Sequence, residues 1–273
     1  MKISISRPGL ARPGLGFLLF GFLWGVQVCA AEPLWQSKAY IKKAFFEIAY
    51  KNEYGTVKDK LGLVRWEKPI EYQISYFNLP PSIEVAENLI HTHFQDLSDV
   101  TGLTISQNNK RPNFRVVLTK KSHYQEAIER FFGAKEKEAE KLEKDTSCLL
   151  SVKTHADSFS IKRALVIIPV DHAMRYGFLP GCVVEELSQA TGISNDSDWV
   201  NPSISNDKSV FDLLTGLDYL FLKILYDRRL SVGMTVEQSG PIIDEILDDF
   251  HNNKTIQNSI SEVRKLRLSQ QLE

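Results

Sequence analysis

The stretch GCVVEELSQATGISND, residues 181–196, carries acidic and amide side chains at the spacing of a metal-dependent peptidase helix. Such a helix reads H-E-x-x-H: two histidines hold Zn²⁺, and the glutamate takes a proton from the metal-bound water. Here Glu185 and Gln189 occupy the histidine positions, and Glu186 occupies that of the glutamate. Positions i and i+4 share a helix face, so Glu185 and Gln189 point the same way. The stretch therefore keeps the spacing of a hydrolytic site but changes its ligands.

Zinc hydrolysis of the usual kind does not fit these residues, because a catalytic zinc site normally includes at least one imidazole. His91 and His93 cannot supply the missing imidazole ligands together. They are two residues apart on a predicted helix, so their side chains diverge by about 200°. We expect no cofactor and no metal site, with a hard cation such as Ca²⁺ as the alternative. The oxygen ligands of that cation would come from Glu185, Gln189, Asn195, Asp196 and Asp198.

A purely structural interpretation of the same residues also stands. Glu185 and Glu186 would then form hydrogen bonds or ion pairs that hold the polar loop after the helix. Asn195, Asp196 and Asn206 would act as turn and cap residues, for which their short polar side chains are well suited.

The first 31 residues have the features of a secretory signal peptide. Lys2, Arg7 and Arg12 precede the apolar run LGFLLFGFLWGVQV, and cleavage fits after Ala30 or Ala31. A retained membrane anchor is the alternative, because the run is close to the minimum for a short span. We predict an exported protein, periplasmic or extracellular, with no stable membrane span after cleavage. Its net charge of -1 argues against nucleic acid as a partner.

Two cysteines remain once the signal peptide is removed, Cys148 and Cys182. In an oxidising compartment such a pair most simply forms a disulfide. A closed loop of about 34 residues would stabilise the fold by roughly 3–4 kcal/mol in the chain-entropy model. Two buried thiols are the alternative.

Hydrophobic spacing predicts an α+β domain over residues 32–250, with a small mixed sheet flanked by helices, a helical C-terminal half and a polar tail over 251–273. Strand patterns cover WEKPIEYQISYF, NFRVVLT, CLLSVKT and FSIKRALVIIPV, the last two forming a hairpin. Helices are predicted within 33–50, from a Ser82 cap to Gly102, over 122–145, after Gly181, from Thr215 and from Thr235. The last two helices begin with capping-box partners, Asp218 and Gln238.

Several motifs in order resemble a known family. CVVEELSQATGISNDSD, PSISND, LTGLDYLFLKILYDRRL and GM, with WEKPIEYQI and SCLLSV upstream, resemble the secreted bacterial family named domain of unknown function 2927. The likeness covers roughly residues 40–250. It implies a zincin-like architecture with the E-E-x-x-Q helix where peptidases of that architecture hold zinc, and it implies no established reaction. Ser205 stands where an aromatic residue is commoner, and Arg228 where proline is commoner.

By analogy with one branch of zinc peptidases, Met234 would lie beneath the site in a methionine-containing turn. The alternative is that Met234 packs as a core residue just before the Thr235 cap.

These patterns lead to two main functional hypotheses. The first is a non-catalytic peptide- or protein-binding or structural domain, with Glu185, Glu186 and Gln189 lining a groove beside a sheet edge. The second is an unusual peptidase-like hydrolase, with Glu186 as general base and a non-zinc metal or a carboxylate partner. A third, weaker hypothesis is a subunit of an envelope protein assembly. Catalysis is the less favoured interpretation.

Overall fold

A computed structural model of the chain describes residues 33–51, 62–80, 83–155, 158–206, 208 and 211–272. All of them belong to one compact unit, Glu32–Glu273. The predicted signal peptide and the predicted Ser82 cap lie outside the described residues. Within the described part, no helix combines the length and the apolar character that crossing a bilayer requires.

Five strands form one mixed sheet. They are β1 (Ile70–Phe77), β2 (Ile105–Gln107), β3 (Phe114–Thr119), β4 (Leu149–Thr154) and β5 (Ile161–Pro169). Their order across the sheet is β2-β1-β3-β5-β4. All neighbouring pairs are parallel except β4 and β5, which pair antiparallel as the predicted hairpin. The mixed sheet is confirmed, and the short edge strand β2 is an addition that the pattern does not predict.

The α-helices are α1 (Lys38–Tyr50), α2 (Glu84–Thr101), α3 (Tyr124–Ala127), α4 (Glu136–Asp145), α5 (Val170–Tyr176), α6 (Leu179–Gln189), α7 (Gly216–Leu225), α8 (Val236–Asn252), α9 (Thr255–Arg264) and α10 (Arg267–Leu272). Short 3₁₀ helices span Leu34–Gln36 and Lys121–His123, and a π-helix spans Ile128–Phe132. Every described strand ends by Pro169, which confirms the predicted helical C-terminal half.

The two faces of the sheet bury different clusters, because successive strand residues point to opposite sides. Tyr72, Val116 and Val166 belong to the main core, which also contains side chains of α1, α2, α6 and α7. Val117 and Ile167 point the other way, into a smaller cluster under α3 and α4. Helix α6, which carries the E-E-x-x-Q sequence, therefore packs on the larger core.

Three predicted helix boundaries are confirmed. Thr215 and Thr235 each accept a backbone hydrogen bond in a capping box, with Asp218 and Gln238 as the reciprocal partners. Gly102 ends α2 with a left-handed φ of 75°, a conformation that glycine adopts without strain.

The single charged helix predicted over residues 122–145 is wrong. A 3₁₀ turn, α3 and the π-helix come first, and Gly133, with φ of 83°, then ends the helical run. A separate α4 follows, and Ala139 is its only buried residue among those described. The chain breaks because Ala127 and Ile128 must face the sheet, whereas α4 lies on the surface with its charges in water.

Helix α6 also begins differently from the prediction. It starts at Leu179, so that Pro180 lies in its first turn, where a missing N–H costs little. The unpredicted helix α5 precedes it and ends at Gly177, whose φ is 78°.

The C-terminal segment, expected to be a polar tail from His251, packs onto the domain as α9 and α10. The side chains of Val263 and Leu268 are buried. The Asp96 carboxylate accepts hydrogen bonds from the backbone N–H groups of Arg267 and Leu268, both at 2.9 Å. The segment is therefore part of the same folded unit.

The structure contains the predicted disulfide between Cys148 and Cys182, with a Cα–Cα distance of 6.0 Å. Cys148 directly precedes β4, and Cys182 lies in α6. The bond therefore ties the edge strand to the E-E-x-x-Q helix.

Replacing both cysteines by serine should lower the free energy of unfolding by about 3–4 kcal/mol, because the bond closes a loop across a sequence separation of 34 residues. Urea denaturation of the double variant and of the oxidised wild type measures the loss. Wild-type protein treated with a reductant should match the double variant. A difference below about 1 kcal/mol would contradict the chain-entropy account.

Candidate functional site

Helix α6 buries its apolar side chains in the core and carries polar side chains of differing exposure. Val183, Val184 and Leu187 are fully buried, while Glu185 is half-buried. Glu186 keeps only 9% of its surface exposed and Gln189 7%. The two glutamates therefore sit at different depths, as a rotation of about 100° between neighbouring helix residues requires.

Residues distant in the chain hold the C-terminal end of α6. The indole Nε1–H of Trp66 donates to the carbonyl of Ala190 at 2.9 Å, and the hydroxyl of Tyr226 donates to the carbonyl of Thr191 at 2.8 Å. The Trp66 backbone N–H donates in turn to the Tyr226 hydroxyl at 3.3 Å. Burial raises the pKa of Tyr226 well above its usual value, so this phenol stays protonated as a donor. Helix-end carbonyls without intrahelical partners are satisfied in this way.

Gly192 ends the turn after α6 in a conformation reserved for glycine, with φ of 128°. A Cβ atom at this position would lie 2.2 Å from the backbone oxygen of Val64. The turn after α6 therefore requires glycine, because the backbone of Val64 approaches it closely.

The loop after the turn brings three predicted site residues together. The Nε2 amide of Gln189 donates to Oδ1 of Asp196. Asn195 donates from Nδ2 to the carbonyls of Asp196 at 2.8 Å and of Glu47 at 3.1 Å. Its backbone N–H donates to the carbonyl of Ile48 at 3.1 Å. Asn195 thus fastens the loop to the end of α1, in agreement with the turn-and-cap interpretation.

The oxygen set considered for a hard cation is only partly gathered. Gln189 and Asp196 are hydrogen-bonded neighbours, whereas the exposed Asp198 pairs with Lys208 at 2.7 Å. In the described parts of the chain, no group of three or more His, Cys, Asp or Glu side chains is arranged to hold a metal ion. A histidine-free set of this kind does not have the chemistry of a catalytic zinc site.

Met234 lies two residues before helix α8. Its carbonyl accepts a hydrogen bond from the Leu63 backbone N–H at 2.8 Å, and its side chain is partly buried against the main core. The Thr235 capping box follows it directly. These contacts fit the core-packing interpretation of Met234, and its placement beneath the α6 site stays a prediction.

A buried histidine behind α6 is a feature that sequence reasoning missed. His93 is 1% exposed, and its Nε2 lies 2.9 Å from Oγ of Ser188. Burial lowers the pKa of His93 to about 3, although a hydrogen bond with the Val184 backbone works in the opposite direction. His91, two residues earlier, instead contacts the Tyr72 hydroxyl at 2.7 Å, so the two rings diverge as predicted.

Asp218 has a larger role than the predicted helix cap. Besides the Thr215 backbone at 2.8 Å, its carboxylate accepts from the Ser203 hydroxyl at 2.6 Å and from the Ile204 N–H. It therefore anchors the PSISND loop. Burial raises the pKa of Asp218 to about 6, and these hydrogen bonds work against the increase. The predicted loop residue Asn206 donates to the Val200 carbonyl at 2.8 Å, in agreement with its structural role.

An exposed apolar surface adjoins the N-terminal end of α6. Met174 is 49% exposed and Tyr176 65% exposed, both on α5. The rings of Tyr176 and Phe178 stack with centroids 6.5 Å apart, and His172 packs against both. We call Met174, Tyr176 and Phe178 the aromatic patch. Large exposed apolar side chains in one place are typical of an interaction surface.

Comparison with known proteins gives one match. The family model described as "Protein of unknown function (DUF2927)" matches residues 38–245. No curated protein and no solved structure matches the chain.

Proposed function

This chain belongs to the DUF2927 family, and from that premise we propose that it is an exported, non-catalytic domain that binds an extended peptide segment of another protein. The peptide would add to the sheet as a further strand along β4, beside α6. In this proposal the fold is zincin-like, and Glu185, Glu186 and Gln189 line the groove. A disulfide between Cys148 and Cys182 supports export, because such bonds persist in oxidising compartments.

The observation that carries the proposal is the free edge of β4 next to α6. Among the described strands β4 has one neighbour, β5, so no described strand pairs with its outer backbone groups. Leu150, Ser151 and Val152 are half-buried, and the ladder becomes irregular at Lys153. The disulfide fixes the start of this edge against α6. An accessible edge of about four residues is suited to strand addition, in which main-chain hydrogen bonds supply much of the affinity.

The aromatic patch adds a second contact for the peptide. It lies just before α6, whose residue Cys182 is bonded to the start of β4. A peptide that follows β4 toward this end would reach Tyr176 and Met174, which offer apolar surface to one of its side chains. Aromatic anchors of this kind often supply most of the energy of an interface.

Binding is favoured over cutting by what the polar side chains already do. Gln189 is hydrogen-bonded to Asp196, and Asn195 holds the loop to α1. Neither histidine position of the peptidase pattern carries an imidazole. The rival function is a hydrolase with Glu186 as general base, helped by Glu185 or by a non-zinc cation.

Glu186→Gln separates the two functions. The exchange keeps the size of the side chain, so we expect peptide affinity to change by less than about twofold. We also expect no peptide turnover by the wild type or the variant. Peptides selected on the immobilised wild type supply the ligand for calorimetry, and a mixed peptide substrate library tests turnover. Wild-type turnover that disappears in Glu186→Gln would establish the hydrolase instead.

The same ligand tests strand addition directly. Methylating alternate backbone nitrogens of a selected peptide should weaken binding at least about tenfold for one of the two alternating sets, because each lost main-chain hydrogen bond matters at a sheet edge. Tyr176→Ala should weaken binding about tenfold, whereas Ile260→Ala, an exposed apolar residue on α9, serves as the matched control. Equal affinity of all methylated peptides would contradict binding along β4.

A further inference from the structure

A cavity of about 400 Å³ lies on the sheet face opposite α6. Its wall carries five cationic side chains, Lys110, Arg111, Arg115, Lys153 and Arg163. We call this cavity the basic pocket. Cavities of this volume are typical of sites for small molecules.

The register of the strands explains why the cations converge. Arg163 of β5 lies directly opposite Lys153 of β4, so both side chains leave the sheet on the same face. Arg115 of β3 pairs with Leu165 of β5, two residues further along the same face. The loop before β3 supplies Lys110 and Arg111 at the ends of these strands.

The helices on this face cover only part of the sheet and leave the pocket open. The π-helix contributes Phe131 and Phe132 to the wall, and both side chains are half-buried. Their rings bound the pocket beside the cations. A ligand in the pocket would thus contact positive charge together with an apolar surface.

The positive charge of the pocket is not balanced within the described residues. Among the described residues, none of the five cations belongs to an ion pair and no acidic residue lines the cavity. Glu71, on the same sheet face, accepts a hydrogen bond from Asn108 at 2.9 Å. Like charges that lie directly opposite on paired strands, as Arg163 and Lys153 do, destabilise a sheet. An anion between them would remove this repulsion.

We propose that the basic pocket binds a compact organic anion that carries two or more phosphate or carboxylate groups. The guanidinium groups of Arg115 and Arg163 can each donate two parallel hydrogen bonds to such a group. Phe131 and Phe132 would contact the carbon skeleton of the ligand. The pocket lies on the sheet face opposite α6, and it shares Lys153 with the peptide edge β4.

Calorimetric titration of the purified protein with pyrophosphate and with citrate, at low salt, tests the proposal and distinguishes phosphate from carboxylate. We expect saturable one-to-one binding of at least one of them. Arg163→Glu should weaken that binding at least about tenfold, because it removes a bidentate donor and pairs the new carboxylate with Lys153. The double variant Lys137→Gln/Lys141→Gln removes two exposed charges from α4 and should bind within about twofold of the wild type.

Thermal unfolding gives a second readout. The bound anion should raise the melting temperature of the wild type and of the α4 control, and leave that of Arg163→Glu nearly unchanged. If Arg163→Glu fails to fold, Lys153→Gln, a change at an exposed position, takes its place with the same expectation. Absence of saturable binding, equal binding by the pocket and control variants, or binding of heparin without either small anion would each overturn the proposal.

Discussion

Lowering the pH from 7 to 4 is expected to remove about 3 kcal/mol of unfolding free energy through one buried side chain, His93. Its pKa is lowered to about 3 in the folded protein, against an ordinary value of 6.5. Between these values the unfolded chain binds a proton that the folded chain does not. Stability from this residue is therefore fully present above about pH 6.5 and is lost as the pH falls toward 3, by about 1.4 kcal/mol for each pH unit.

Urea denaturation at pH 7, 6, 5 and 4 measures this loss when the wild type is compared with His93→Gln. The variant should lose about 3 kcal/mol less than the wild type over that range. Ser188→Ala is the control, because it removes the hydrogen-bond partner and leaves the buried imidazole in place. It should be less stable at every pH by about 1 kcal/mol with a wild-type pH dependence. Parallel curves for His93→Gln and the wild type would refute the assignment.

Asp218 changes the unfolding free energy with pH in the direction opposite to His93. The difference between His93→Gln and the wild type is therefore more informative than the pH dependence of the wild type alone. Burial raises the pKa of Asp218 to about 6, above the ordinary 3.8. Between about pH 6 and pH 4 the folded protein binds a proton at Asp218 that the unfolded chain does not bind. The stability from this residue therefore increases as the pH falls through that range. The two buried groups partly cancel in the wild type. In His93→Gln the stability that Asp218 adds between pH 6 and about 4 should no longer be offset by His93.

The second large effect is expected for Gly192→Ala, which should lower the free energy of unfolding by about 3 kcal/mol or more. The φ of 128° at this position is unfavourable for any residue with a side chain. The added methyl group would also lie 2.2 Å from the Val64 backbone oxygen. Backbone atoms cannot rotate aside, so the turn after α6 or the segment 62–66 must move.

Gly102→Ala separates the two causes. Gly102 also has a positive φ, 75°, but nothing lies within 4 Å of the position that its Cβ would take. Its replacement should cost only about 1 kcal/mol, the cost of the left-handed conformation alone. Equal losses in the two variants, measured by urea denaturation, would show that the Val64 contact adds nothing. Loss of the α6 turn in Gly192→Ala should also weaken peptide binding if the groove beside α6 is the binding site.

Local signals made much of the fold predictable. The alternation in β1, the β-branched run of β3, the hairpin of β4 with β5, and the Thr215 and Thr235 caps are all properties of a few adjacent residues. The disulfide was predictable because only two cysteines remain after the expected signal peptide. At the site, the spacing of Glu185, Glu186 and Gln189 correctly predicted one helix.

Features that depend on tertiary contacts were not predictable. The Glu/Lys-rich stretch up to Asp145 suits a helix, whereas the burial of Ile128 in the smaller cluster and the π-helix before Gly133 depend on packing against the sheet. His93 and Ser188 are 95 residues apart in sequence, so no local pattern indicates their contact. The basic pocket likewise depends on strand register, since its cations come from three strands and a loop.

The capping of α6 by distant residues has a consequence for how the protein folds and opens. Trp66 and Ala190 are 124 residues apart, and Tyr226 and Thr191 are 35 residues apart. Trp66 precedes α6 in the sequence, and Tyr226 follows it. Contacts of high sequence separation form only after large loops have closed, so the end of α6 should be completed late in folding. An element that is completed late should also open early, so the last-turn amides of α6 should exchange with deuterium faster than the amides of the central strands β1 and β3.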